Sequence, residues 1–128
     1  MRLPLETRSA FLDVETAEGH LRFRITGDYS FEDLEMMIPA MLGELTRHGH
    51  ARALVDISDM TGEMPDLDRF TLAETFVRVW GAHRRAAVKV DTVRQRINRL
   101  FETVALNRFG QVRVGDRSEE LMAWLLAD

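Results

Sequence analysis

Three apolar residues in a row, Ala53-Leu54-Val55, constrain the fold more than any other feature of this chain. They show no polar alternation and lie between two segments of helical periodicity. A strand of this kind is covered on both faces, the habit of central strands in a parallel sheet packed by helices. On one side, from Ser30, the residues Leu34, Met37, Ile38, Met41, Leu42 and Leu45 recur at helical spacing and form one apolar stripe. On the other, from Asp66 to Trp80, a second stripe is supplied by Leu67, Phe70, Ala73, Phe76, Val77 and Trp80.

The N-terminal part has the other periodicity. Within 11–16, Leu12 and Val14 alternate with Asp13 and Glu15; within 20–26, Leu21, Phe23 and Ile25 alternate with Arg22, Arg24 and Thr26. With a turn at Ala17-Glu18-Gly19 between them, the two runs predict an antiparallel hairpin with one wet face. Ser30 suits a helix N-cap, and Glu32, Asp33 and Glu35 suit the positive helix start. Pro39 falls inside this helix and predicts a kink or two segments, because proline removes a hydrogen bond and crowds the preceding turn. Gly49 ends the element. The central strand spans 52–58, and Asp66 is the expected cap of the second helix.

A short buried strand is expected at 86–90. Thr92 and Gln95 then form a capping box for a third helix with Val93, Ile97, Leu100, Phe101 and Val104 on one stripe. A fifth strand at 111–114 follows. Ser118 caps a last helix that docks Leu121, Met122, Trp124 and Leu125. The order β-β-α-β-α-β-α-β-α predicts an α/β fold: a mixed five-stranded sheet with one antiparallel edge strand and four helices. With no repeat or linker in the sequence, residues 1–128 read as a single domain.

The chain has no cysteine, which removes disulfides and thiolate chemistry and suits a reducing cytoplasm. No apolar run approaches the roughly 18 residues of a spanning helix, and the N-terminal ten residues lack the apolar stretch of a signal peptide. Residues 1–75 hold 7 basic and 15 acidic side chains, a net charge of −8, whereas residues 76–128 hold 10 and 6, a net of +4. This asymmetry argues against a nucleic-acid binder, which needs a basic domain overall. It leaves room for head-to-tail association or an anionic ligand at the C-terminal half, with Arg84, Arg85, Arg94, Arg96 and Arg99 as candidates.

Four stretches resemble the STAS domain, the fold of anti-sigma-factor antagonists, and look closest to its divergent bacterial SpoIIAA-like group. They are the acidic-start helix with its internal proline from Ser30 through Pro39 to Leu45, the strand Ala53-Leu54-Val55-Asp56-Ile57, the basic helix Thr92 to Leu106, and the ending Val112-Arg113-Val114 followed by Ser118-Glu119-Glu120 and Ala123-Trp124-Leu125. The resemblance implies a non-enzymatic regulatory or protein-interaction module. In regulatory members, a serine or threonine in an Asp-Ser-(Ser/Thr)-Gly turn before the second helix is phosphorylated by a partner kinase. Here the corresponding stretch is Asp59-Met60-Thr61-Gly62, followed by Glu63-Met64-Pro65, which departs from that pattern. Thr61 and Ser58 are the nearest modification candidates. The group has also been likened in fold to CRAL-TRIO lipid-transfer domains, which implies a small apolar ligand as the alternative function.

The candidate partner or ligand crevice comprises Asp56, Ser58, Asp59, Met60, Thr61, Gly62, Met64 and Phe70. It follows the central strand, at the end where open α/β sheets place their crevices. Met60 and Met64 in a loop, together with Phe70, offer an adaptable apolar surface or pocket rim. Asp56 either lines the crevice or accepts nearby backbone amides. His48 and His50 flank Gly49 without a third ligand, so no metal and no cofactor is assigned. His20 and His83 read as surface residues. No glycine-rich phosphate loop, nucleophile elbow or zinc spacing is present, and no enzyme activity is assigned. A protein partner is expected, with a homodimer and a small apolar ligand as the other associations left open.

Overall fold

The computed structural model describes residues 1–92, 99–108 and 110–128. Its strands are β1 (Ala10–Ala17), β2 (His20–Gly27), β3 (Arg52–Asp56), β4 (Arg85–Lys89) and β5 (Gln111–Gly115). Its helices are α1 (Phe31–His48), α2 (Asp66–Trp80), α3 (Arg99–Asn107) and α4 (Ser118–Leu125). The five strands form one sheet whose spatial order is the chain order, with β1 antiparallel to β2 and the remaining pairs parallel. This is the expected α/β architecture with its antiparallel edge strand.

The two periodicities sort the layers. Leu12 and Val14 of β1, Phe23 and Ile25 of β2, and Val55 of β3 point into one large core, where they meet Leu34, Met37, Met41 and Leu45 of α1 and Leu72, Phe76 and Trp80 of α2. Phe101 of α3 packs against the same cluster. On the opposite face Leu54 and Ala87 meet Leu121 and Leu125 of α4. The unalternating run at 53–55 is thus buried from both sides, as its composition requires. Under the hairpin the outer face stays wet, and Asp13 faces Arg24 and Glu15 faces Arg22 in register. Opposed charges of this kind suit an exposed antiparallel pair.

Asp33 ties the start of β1 to α1. Its side chain is 1% exposed. It accepts the backbone N–H groups of Arg8 (2.9 and 3.1 Å), Ser9 (2.9 Å) and Ala10 (2.9 Å). Burial by itself raises the pKa of such a carboxyl. Here the three backbone donors outweigh it and hold Asp33 below the ordinary carboxylate value. Gly27 permits the same junction: its φ is +87°, and a Cβ there would stand 2.2 Å from the Ser9 carbonyl oxygen.

Several expectations are corrected. Pro39 does not divide α1, which runs unbroken from Phe31 to His48 behind the Ser30 cap. Pro39 and Glu35, whose carbonyl loses its donor, both lie on the exposed side where water can replace the bond. Asp66 and Ser118 are not caps. The cap positions are Pro65 and Arg117, and neither offers a capping side chain. The buried face of α2 is Arg69, Leu72, Ala73, Thr75, Phe76 and Trp80, so Leu67 and Phe70 fall outside it. His20 is buried, 4% exposed, with Nδ1 3.0 Å from the Glu18 carbonyl oxygen. The capping box at Thr92 and Gln95, the stripe residues Val93 and Ile97, and the basic candidates Arg94 and Arg96 lie wholly or partly outside the described residues.

Candidate functional site

Strands β2 to β5 end at the same edge of the sheet, and the predicted crevice lies there. Asp56 closes β3. Its carboxylate accepts the Ser58 backbone N–H at 2.9 Å and the Ser58 hydroxyl, a side-chain turn that fixes the first step of the β3–α2 loop. Asp59 is exposed and paired with Arg24 of β2. Met60 is buried, 4% exposed, within the main core. It is therefore no part of an exposed rim, which corrects the surface expected around Met60 and Met64.

Thr61 stitches this loop to the segment after β2. Its backbone N–H donates to the Gly27 carbonyl oxygen at 2.8 Å, and its carbonyl oxygen accepts from Tyr29 at 2.8 Å. The Thr61 hydroxyl donates to the Asp28 carboxylate, with the Gly27 carbonyl oxygen a second acceptor at 3.2 Å. Gly62 follows with φ +87°, packed against Tyr29. The Tyr29 hydroxyl donates to Asp68 Oδ2 at 2.6 Å, which links the β2–α1 turn to α2. Burial first, then the bond to Asp68 and its charge, pushes the Tyr29 phenol well above its usual pKa.

Each loop hydroxyl is thus held by a carboxylate. Ser58 and Thr61 donate to Asp56 and Asp28, and no histidine stands beside either among the contacts described. Among the described residues no group of three His, Asp or Glu side chains converges as a metal site. The arrangement can present a braced loop; it does not assemble a nucleophile and base.

Among exposed acidic and polar side chains, the rim also presents two large apolar ones. Leu67 is 74% exposed on the first turn of α2, and Phe70 is 37% exposed one turn on. The Arg108 guanidinium lies 5.1 Å from the Phe70 ring centroid and pairs with Glu74 at 2.9 Å. Met64 is half-buried against the core. Sequence periodicity placed Leu67 in the core and so missed it as surface. It also missed Asp28, Tyr29 and Asp68, whose only signal is the parallel pairing of β2 with β3 that brings both loops to one edge.

Behind the rim, a cavity of about 60 Å³ lies between the sheet and the helices. Apolar side chains of all five kinds of neighbour — β2, β3, β4, β5 and the helices — line it, with Ile25, Val55, Val88 and Val114 from the strands and Ile38, Met41, Leu72 and Phe76 among the helical ones. At about 24 cal/mol per Å³, such a void costs roughly 1.4 kcal/mol of packing.

No protein-family model matches the chain, and no curated protein matches it. Solved structures do. An anti-sigma factor antagonist from Mycobacterium paratuberculosis aligns over 93% of this chain and 96% of its own, with TM-score 0.62 and 16% identity. The chain has the SpoIIAA-like STAS fold. An uncharacterised protein with a SpoIIAA-like fold from Shewanella loihica aligns over 96% of this chain and 98% of its own, with TM-score 0.55 and 19% identity. In this STAS-like sheet, the Thr61 loop and the start of α2 occupy the edge where parallel strands end. No described helix is long and apolar enough to cross a membrane.

Proposed function

We propose that this STAS-like chain, residues 1–128 acting as one unit, is a non-enzymatic cytoplasmic module that regulates a protein partner. Its contact face is the β3–α2 loop with the first two turns of α2. The observation that carries this reading is the pair Leu67 and Phe70, left 74% and 37% exposed beside a loop whose two hydroxyls are held by carboxylates. Apolar side chains on a rigid element, rimmed by Asp59, Glu63, Asp66 and Asp68, suit a partner surface with an apolar centre and basic surroundings. The structural likeness to an anti-sigma factor antagonist supports a regulatory role.

Thr61 is the proposed modification site on this face. A phosphate there would replace a donor to Asp28 by negative charge beside that carboxylate, undoing the bridge between the loop and residue 28. Ser58, half-buried and bonded to Asp56, is the less accessible alternative.

The test compares partner capture by the wild type and by Leu67→Asp, each verified as folded. A protein retained by the wild type is expected to bind the variant at least about 30-fold more weakly, the scale of losing an interface anchor. Equal retention by Leu67→Asp and Phe70→Asp would overturn this face.

A further inference from the structure

The cavity behind the rim is a different site from the contact face, and its chemistry is more definite. Protein interiors are close-packed and hold few voids larger than a water molecule. This one has a volume of about 60 Å³ and is lined by residues of the main core, with half-buried Met64 and Phe101 among them. Its walls come from both layers: Val55 and Val88 from the sheet, Ile38 and Met41 from α1, Leu72 and Phe76 from α2. All six are buried, between 2% and 8% exposed.

No polar side chain is among the described residues that line it. A water molecule needs two to four polar partners to settle in a buried site, and apolar cavities remain dry. A carboxylate or hydroxyl entering here would lose its hydration without a replacement. An uncharged guest of a few heavy atoms loses nothing of that kind and gains dispersion contacts on every side. Half-buried Met64 and Phe101 stand where the cavity nears the surface. The unbranched, three-torsion side chain of Met64 suits an adaptable entrance.

We propose that this cavity is a binding site for a small, uncharged apolar molecule, smaller than a benzene ring. Benzene fits engineered cavities of about 150 Å³, well above the present volume. The site excludes charged lipids and polar metabolites by the same physics that keeps water out.

Met41 and Met64 both line the cavity, so their methyl groups report on it. Met36, 39% exposed, and Met122, packed on the opposite side of the sheet, are internal controls. The experiment is methionine-methyl NMR of the full chain under increasing xenon pressure, with benzene as an oversize probe. Saturable shifts confined to Met41 and Met64 are expected from xenon, and none from benzene. Val88→Ile, which fills part of the space, is expected to weaken xenon binding roughly fourfold, the worth of one buried methylene. Leu72→Ala is expected to admit benzene, so a folding failure of either variant still leaves the other as a test. Absent, unsaturable or evenly spread xenon shifts would overturn the site. Benzene binding to the wild type would overturn the size class.

Discussion

Asp33 carries more of the architecture than its place in an acidic helix start suggests. A carboxylate at that position ordinarily faces water and the helix dipole; this one is turned inward and takes three backbone N–H groups from residues 8–10. Because its folded pKa is depressed, the stability it contributes is present above the unfolded value near 4. That contribution is lost as pH falls through the lower folded value. Asp33→Asn is expected to cost about 2 kcal/mol at neutral pH, the scale of a buried hydrogen bond to a charged group. Urea unfolding at pH 7 and again below pH 4 checks this: the gap between variant and wild type should narrow in acid. A constant gap would mean that the charge itself contributes nothing. Tyr29 offers a second test, since it is the sole tyrosine. Its phenolate absorbance should emerge only above the usual pH of about 10. Asp68→Asn should bring it down, because the bond and the charge that help raise it are removed.

At the scale of elements, legibility followed the range of the interactions. The hairpin, the α1 stripe and the 53–55 run were readable because each pattern is set by immediate neighbours. The end of the central strand was not: it was expected to run to Ser58, but it stops at Asp56, whose carboxylate takes the Ser58 amide in a turn. Arg24–Asp59, Thr61–Asp28 and Tyr29–Asp68 were not readable either, because 33 to 39 residues separate the partners and only the register of β2 on β3 joins them. The face of α2 was misread for another reason. Leu67 and Phe70 fit helical spacing, but Arg69 takes the buried position, laying its stem along the core and reaching back to Asp66 at 2.8 Å. Pro39 was expected to kink or divide its helix, but α1 runs through it unbroken. Pro39→Ala is expected to raise the thermal midpoint: it restores a helix bond worth up to about 3 kcal/mol against proline, less up to about 1 kcal/mol of unfolded-state entropy. A lower midpoint would show that the ring is needed by its neighbours.

Across the whole molecule, the sheet separates a large core from a small one. Strands β3 and β4 serve both, through Val55 and Val88 on one side and Leu54 and Ala87 on the other. Local openings that expose them must therefore disrupt two layers at once. Native-state hydrogen exchange is expected to be slowest at the amides of β3 and β4, faster along β5, which has a neighbour strand on one side only, and faster along β1, whose outer edge is covered only by the terminal residues 1–3. Slowest exchange at β1 would point instead to the Asp33 junction as the most stable unit. The contact rim and the cavity share α2, whose outer residues Leu67 and Phe70 serve the first and whose inner residues Leu72 and Phe76 serve the second.

The coincidence of spatial and chain order also bears on how the protein is made. A ribosome releases the chain from its N-terminus, and every strand after the first finds a partner already released when it emerges. The hairpin can serve as a template for β3, and each later strand adds to one growing edge without waiting for a segment still to be synthesised. Until β5 completes the sheet, each new strand covers the edge left by the one before it, so the edges of β2, β3 and β4 are open only while the next segment is being made.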